Sequence, residues 1–323
     1  MMKTSLKPAP NSGKHTQGIS LVELLISMVI GLVVIGAVLP TYLTSGTGQN
    51  SNAALSQISE DATLALNLVR KQIALAGYSQ PFKFNAKGFA RNYTERGIAG
   101  CDSVNFDNVD TADIADLTCT GTASTSANAI AVAYEADSGN SLMDGSTPKR
   151  PRDCIGSAIP PTAATANNND YSLAHSRLYI ANGSLMCRGN GSEKAAAPPP
   201  KGGTLPGTPQ PLVSNIVSMR VRYGLANRNP TTGMIIPGIT RYLTATEVNV
   251  EDVTGSHWND VKAVRVCIVV RSEQEVLDTV TPYYDCAAVE NANPQPVEPT
   301  GKDRRIYRAF STTIMVNNDL GRK

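Results

Sequence analysis

Hydropathy changes character twice along this chain. From Ile19 to Leu39 the sequence is apolar and carries a single charged side chain, Glu23. Its 21 residues, at 1.5 Å rise each, reach roughly 31 Å, the thickness of a hydrocarbon core, and predict a membrane-spanning helix. Beyond Pro40 the apolar positions thin to a stripe. Leu55, Ile58, Ala62, Ala65, Val69, Ile73 and Ala76 recur at steps of three and four, predicting an amphipathic helix that Gly77 ends. Taken together, helix over Ile19–Ala76 would run roughly 87 Å if straight.

From Tyr78 the period shortens to two. Ala129–Tyr134 alternates Ile130, Val132 and Tyr134 with alanine, as a half-buried strand does. Arg177–Arg188 holds Asn182-Gly183 between two apolar runs, a hairpin signal. Val213–Tyr223, with Arg220 and Arg222 opposite its apolar face, Val261–Arg271 and Arg305–Val316 read as further strands of one antiparallel sheet. The Pro/Gly/Ala-rich stretches 193–211 and 290–302 read as surface loops of that one domain. The fold class is therefore α+β, a long N-terminal helix packed on an antiparallel head with long loops.

Charge and cysteine fix the setting. With 29 Lys and Arg against 27 Asp and Glu, and Lys3, Lys7 and Lys14 all ahead of the apolar run, the body of the protein is close to neutral. A basic leader without acids keeps the N-terminus cytoplasmic and sends everything after Pro40 across the membrane. There lie all six cysteines: Cys101, Cys119, Cys154, Cys187, Cys267 and Cys286. None is spaced C-x-x-C, so disulfides in an oxidising compartment fit better than zinc. Six allow fifteen connectivities. Short loop closure favours 101–119 and 267–286, and the expected set is 101–119, 154–187 and 267–286.

Catalytic and ligand chemistry is thin. Ser146-Thr147-Pro148-Lys149 has S-x-x-K spacing, but Pro148 disrupts the helical turn that would present the serine. His15, His175 and His257 are scattered. Asp107, Asp110, Asp113 and Asp116 lack the order of a calcium loop and read as a solvated acidic loop, with a calcium site left open. Lys302, Arg304, Arg305 and Arg308 suit either charges guarding a sheet edge or weak nucleic-acid contact; partners of that kind are not expected. No catalytic residue, metal or cofactor is expected.

A carboxylate at the centre of an inserted helix costs roughly 2.5–3.5 kcal/mol on insertion scales. A plain anchor leaves Gly18 and Glu23 unexplained, and a cleaved secretory signal would need too long an apolar region. Gly18-Ile19-Ser20-Leu21-Val22-Glu23 resembles the signal of type IV pilins and pseudopilins. That resemblance implies cleavage after Gly18 by prepilin peptidase, an N-methylated Ile19, Glu23 as fifth mature residue pairing with a neighbour's N-terminus, and a helix bend at Pro40. Ile19 departs from the Phe usual at the first mature position.

In the head, Pro211-Leu212-Val213 through Arg222-Tyr223-Gly224, Trp258-Asn259-Asp260-Val261 through Val266, and the end at Arg271-Ser272 resemble the PilW family of minor pilins. So do the stretch around Cys154 and the hairpin end Leu185-Met186-Cys187. The resemblance implies a pilin-like fold in four stretches: a cytoplasmic leader 1–18, a membrane and filament-core helix 19–39, an amphipathic helix 40–77 and a periplasmic head 78–323. It also implies a non-enzymatic minor pilin of the bacterial inner membrane that helps initiate type IV pilus assembly and enters the pilus at or near its tip. Other minor pilins, the major pilin and a tip adhesin would be its partners. A minor pseudopilin of type II secretion and a membrane-anchored periplasmic binding protein are the competing readings.

Overall fold

The long helix, α1, spans Leu21–Leu75, two residues short of the expected start and one short of the expected end. The computed structural model describes residues 18–85, 88–119, 124, 127–162, 171–192, 203–229, 235–251 and 257–316. Lys3, Lys7, Lys14 and His15 lie outside them. Contacts divide the chain into two units, Met1–Asn50 and Ser51–Lys323. In the first, Leu21–Pro40 has the length and hydropathy of a membrane span, and none of it is buried.

In the second unit α1 presents the expected stripe. Ile58, Ala62, Ala65, Val69, Ile73 and Ala76 are buried and Leu55 is half-buried. Each buried Ile or Val there stabilises by about 1.5–3 kcal/mol. Gly77 takes φ 71°, and the Tyr78 N–H returns to the Leu75 carbonyl at 2.8 Å, the left-handed stop expected of a glycine just past a helix.

The strands are β1 (Pro81–Asn85), β2 (Gly88–Arg91), β3 (Ile98–Cys101), β4 (Ala129–Ala136), β5 (Ser172–Ala181), β6 (Ser184–Gly189), β7 (Gln210–Ser214), β8 (Ile216–Arg228), β9 (Ile235–Leu243), β10 (Val261–Arg271) and β11 (Tyr307–Met315). Two short helices, α2 (Ala245–Glu251) and α3 (Cys286–Glu290), flank β10 in sequence. All pairings between these strands are antiparallel.

They do not form the one sheet expected. β1 and β2 pair alone; the others divide into a five-stranded sheet, ordered β3-β4-β5-β6-β7, and a four-stranded sheet, ordered β11-β10-β8-β9. The expected strand Val213–Tyr223 is broken at Asn215, which has φ 64° and is the single residue between β7 and β8. Asn tolerates the left-handed region better than other non-glycine residues, so it ends one sheet and starts the next. One core takes side chains from the α1 stripe, from β4–β6 and from β8, β10 and β11.

A second correction concerns β4, which is buried along its whole length rather than on one face. Ile130, Val132 and Tyr134 join the core with α1, while Ala129, Ala131 and Ala133 join a second cluster with Tyr93, Phe106 and Ile114. The segment carrying those residues therefore covers the sheet's other face. The hairpin β5–β6 turns through Asn182 and Gly183 at φ 51° and 68°, the paired positive values of a type I′ turn.

Candidate assembly and processing site

Gly18, Ile19 and Ser20 carry no regular structure, and Ile19 is 73% exposed. An accessible peptide without regular structure at Gly18–Ile19 is a form open to a protease. Helix begins at Leu21, so Glu23 sits in the first turn, where a carboxylate meets the positive end of the helix dipole. Ser20 and Glu23 also have the spacing of a capping box, a local signal not used in the sequence reading. Glu23 is thus less anomalous for the lone helix than its hydropathy implies.

Ser27 donates its hydroxyl to the Glu23 carbonyl at 2.6 Å, satisfying itself within the helix. Ser20, Glu23, Ser27 and Gly31 follow one another at steps of three and four, so they share one face of α1. At Gly31 and Gly36, beyond the helix's own nearby backbone, no atom of the described residues lies within 4 Å of where a Cβ would stand. Neither glycine is demanded by crowding among the described residues. Pro40 lies inside α1, which continues on both sides.

The cysteines meet as Cys101–Cys119, Cys154–Cys187 and Cys267–Cys286. The third holds α3 against β10, where Tyr283 stacks on Tyr307 with centroids 4.6 Å apart. Arg220 and Arg222, expected on the open face of their strand, converge there on Glu290 at 3.5 and 3.0 Å and are only partly exposed.

The other candidate groups have structural employment. Ser146 donates to Asp144 Oδ1 at 2.6 Å and to the Pro148 carbonyl at 2.8 Å. Asp110 pairs with Arg188 at 2.6 Å, and Asp113 accepts from the Ala115 N–H. Among the described residues no group of three or more His, Cys, Asp or Glu is placed to hold a metal. Arg304 pairs with Glu275 and Arg305 with Asp303, both at 3.0 Å, which leaves Arg308 as the arginine of that cluster within β11. His257 lies 3.8 Å from Asp260.

His175 is buried, and its burial and then the Arg177 guanidinium push its pKa well below the usual value. It is a neutral core residue. Arg177 itself was not foreseen. It is fully buried, donates to the carbonyls of Thr111 and Ala112, and burial followed by repulsion from Arg188 brings it down to about 10. It pins the 93–119 segment over the five-stranded sheet.

Residues 13–39 match the model described as the prokaryotic N-terminal methylation motif, and 170–318 match type IV pilus-assembly protein W, PilW. A type IV-like pilin from Thermus thermophilus aligns with a TM-score of 0.40 and 9% identity, over 82% of this chain and 98% of that one, an overlap too loose to define a fold by itself. No curated protein matches the chain.

Proposed function

Because the chain belongs to the PilW family of type IV pilus-assembly proteins and is a membrane-anchored minor pilin, we propose that it acts in the complex that primes the pilus and remains at or near its tip. Pilins are structural proteins that interact with other pilins, and the role is one of assembly rather than catalysis. In this reading the peptidase cuts after Gly18, Ile19 becomes a methylated N-terminus, and the helix then leaves the bilayer for a bundle of similar helices. The head, Tyr78 onward, faces the periplasm, with the major pilin, other minor pilins and a tip adhesin as partners. Pro40 would let the helix bend on the way.

One observation carries the proposal. The only charge between Ile19 and Leu39 is Glu23, and it lies on the face that also holds Ser20, Ser27 and Gly31, in a span of which none is buried among the described residues. A buried charge is tolerable mainly when paired. The new α-amino group of a neighbouring subunit is a cation at the same end of the helix, and small residues on that face permit close helix approach.

The test is the mass and N-terminal sequence of the mature protein. Cleavage after Gly18 with one added methyl on Ile19 is the expected result, and Gly18→Ala leaves an uncut precursor held in the membrane. Processing at another bond overturns the reading. Co-purification with pilins rather than with secretion components separates it from the pseudopilin alternative.

A further inference from the structure

The geometry points to the outer edge of β11 as the place where an extended strand of a different pilin-like subunit joins the head. This rests on the reading of the chain as a pilin-assembly subunit.

A sheet edge is a row of unpaired N–H and C=O groups, and proteins that do not use an edge blunt it with brevity, bulges, proline or charge. Three of the four edges of the two larger sheets are blunted in this way. β3 has four residues. β7 has five, includes Pro211 and shifts register against β6. β9 carries Pro237 and Gly238, the latter at φ 111°, and shifts register twice against β8. Of these devices β11 has only charge, in Arg308 within the strand and Lys302, Arg304 and Arg305 before it, and the last two are paired with Glu275 and Asp303. It is nine residues long, without proline or glycine, and its register against β10 runs unbroken from Ala263–Met315 to Arg271–Tyr307.

The groups it offers follow from the pattern of an antiparallel ladder, in which alternate residues bond the same neighbour. The Val316 N–H donates to the Lys262 carbonyl and the Ile306 carbonyl accepts from Ser272, so even-numbered residues face β10. Tyr307, Ala309, Ser311, Thr313 and Met315 therefore turn their backbone groups outward. No described strand pairs with them. Ser311, Thr313 and Met315 also have exposed side chains, whereas nearly all of β10 is buried.

The composition of the edge and the state of the others identify the occupant. Head-to-tail pairing between copies of this chain would set β11 against β3, β7 or β9, which are the blunted edges. Pairing β11 with β11 would give a closed twofold dimer, which cannot extend along a filament. A different subunit remains. Arg308 is exposed on β11, and the exposed Arg70 of α1 donates to Thr312 on the same side of the strand at 2.8 Å. The joining strand is accordingly one that presents a carboxylate on that side.

The experiment uses the full chain in its native envelope, with a photo-crosslinking phenylalanine at Ser311 or Thr313 and, as control, at the exposed Leu142. Adducts from 311 and 313 should map to an extended segment of another pilin-like subunit. Ser311→Pro removes an outward N–H without touching the β10 ladder. It should lower co-purification of that subunit about tenfold, as loss of one to two edge hydrogen bonds does, with cleavage and urea midpoint unchanged. Thr313→Lys, which adds a guarding charge and keeps the N–H, should do the same if the proline variant is unstable. Adducts only to a second copy overturn the proposal. So does wild-type co-purification by either folded variant, or its persistence with no adduct at 311 or 313. A chain that meets no pilin and is not cut at Gly18 overturns the function itself, which is a separate result.

Discussion

Gly97 lies against Gly77 so closely that a Cβ on residue 97 would overlap the Gly77 backbone nitrogen and Cα. The end of α1 is locked by this contact. The Gly77 N–H donates to Ala133 of β4 at 2.9 Å, and the Ala133 N–H in turn donates to the Gly97 carbonyl. Because backbone rather than a flexible side chain must give way, Gly97→Ala should cost about 1–3 kcal/mol, in the range of overpacked cores. Gly145→Ala, where beyond the two chain neighbours no atom of the described residues lies within 4 Å of the added Cβ, should stay within about 0.5 kcal/mol. Urea midpoints of the two variants check the contrast.

Asn215 links the two larger sheets, and its side chain reaches Asp61 of α1 at 3.5 Å while its carbonyl accepts from the Arg271 N–H at 2.9 Å. At φ 64°, Asn215→Val should cost about 1–2 kcal/mol through the left-handed backbone alone. Asn215→Gly should be near neutral, and equilibrium unfolding of both distinguishes backbone strain from loss of the side chain.

The same residue explains why the α1 stripe was legible in the sequence and the sheet division was not. Steps of three and four over Ile58–Ala76 have one structural solution, a helix with one buried face. Val213–Tyr223 alternates as an unbroken strand does, and its lone warning is an asparagine that also suits a strand's exposed face. In β4 the alternation of large residues with alanine suggested one wet face, yet the alanines pack under Tyr93, Phe106 and Ile114. A cover contributed by a distant loop leaves no periodic mark. The first-turn site of Glu23 was readable from the Ser20–Glu23 spacing, and two of the three cysteine pairs, 101–119 and 267–286, stand at the separations short loop closure favours. Arg177 left no signal, because a strand arginine ordinarily faces water.

The Cys267–Cys286 bridge closes 19 residues and fastens α3 to the four-stranded sheet. Loop entropy for that length is about 3 kcal/mol. Replacing both cysteines by alanine should therefore lower stability by about that amount. Hydrogen exchange should rise chiefly in 281–290, where the Tyr283–Tyr307 stack and the Glu290 pairs lose their support. Uniform acceleration across both sheets would show instead that the bridge governs global opening.

The Asp144 carboxyl is held down to about 2 by the Arg150 backbone N–H and then by the Ser146 hydroxyl. Its folded pKa lies below its unfolded value, so these bonds stabilise in full above about pH 4 and the contribution fades as pH falls through 2. Asp144→Asn should be less stable than wild type at pH 6, with the gap narrowing between pH 4 and 2. Urea midpoints at pH 6, 4 and 2.5 measure it; a gap independent of pH would assign the effect to shape rather than charge.

Glu23 and Gly31 offer a way to separate membrane insertion from assembly, because they share one face of a span of which none is buried among the described residues. Glu23→Gln removes a charge that costs roughly 2.5–3.5 kcal/mol at the centre of an inserted helix, and less near its end, so insertion should be undiminished or improved. Gly31→Leu adds apolar bulk into open space and should also insert well. If the face packs against neighbouring helices in a filament, both variants should reach the membrane in wild-type amounts and yet enter sheared pili at least tenfold less often. Glu23→Gln would fail there because a neighbour's α-amino group loses its counter-charge, and Gly31→Leu because close approach is blocked. Quantitative blotting of membrane and pilus fractions reads both numbers in one preparation. Wild-type incorporation of both variants would move the seat of assembly from this helix face to the head.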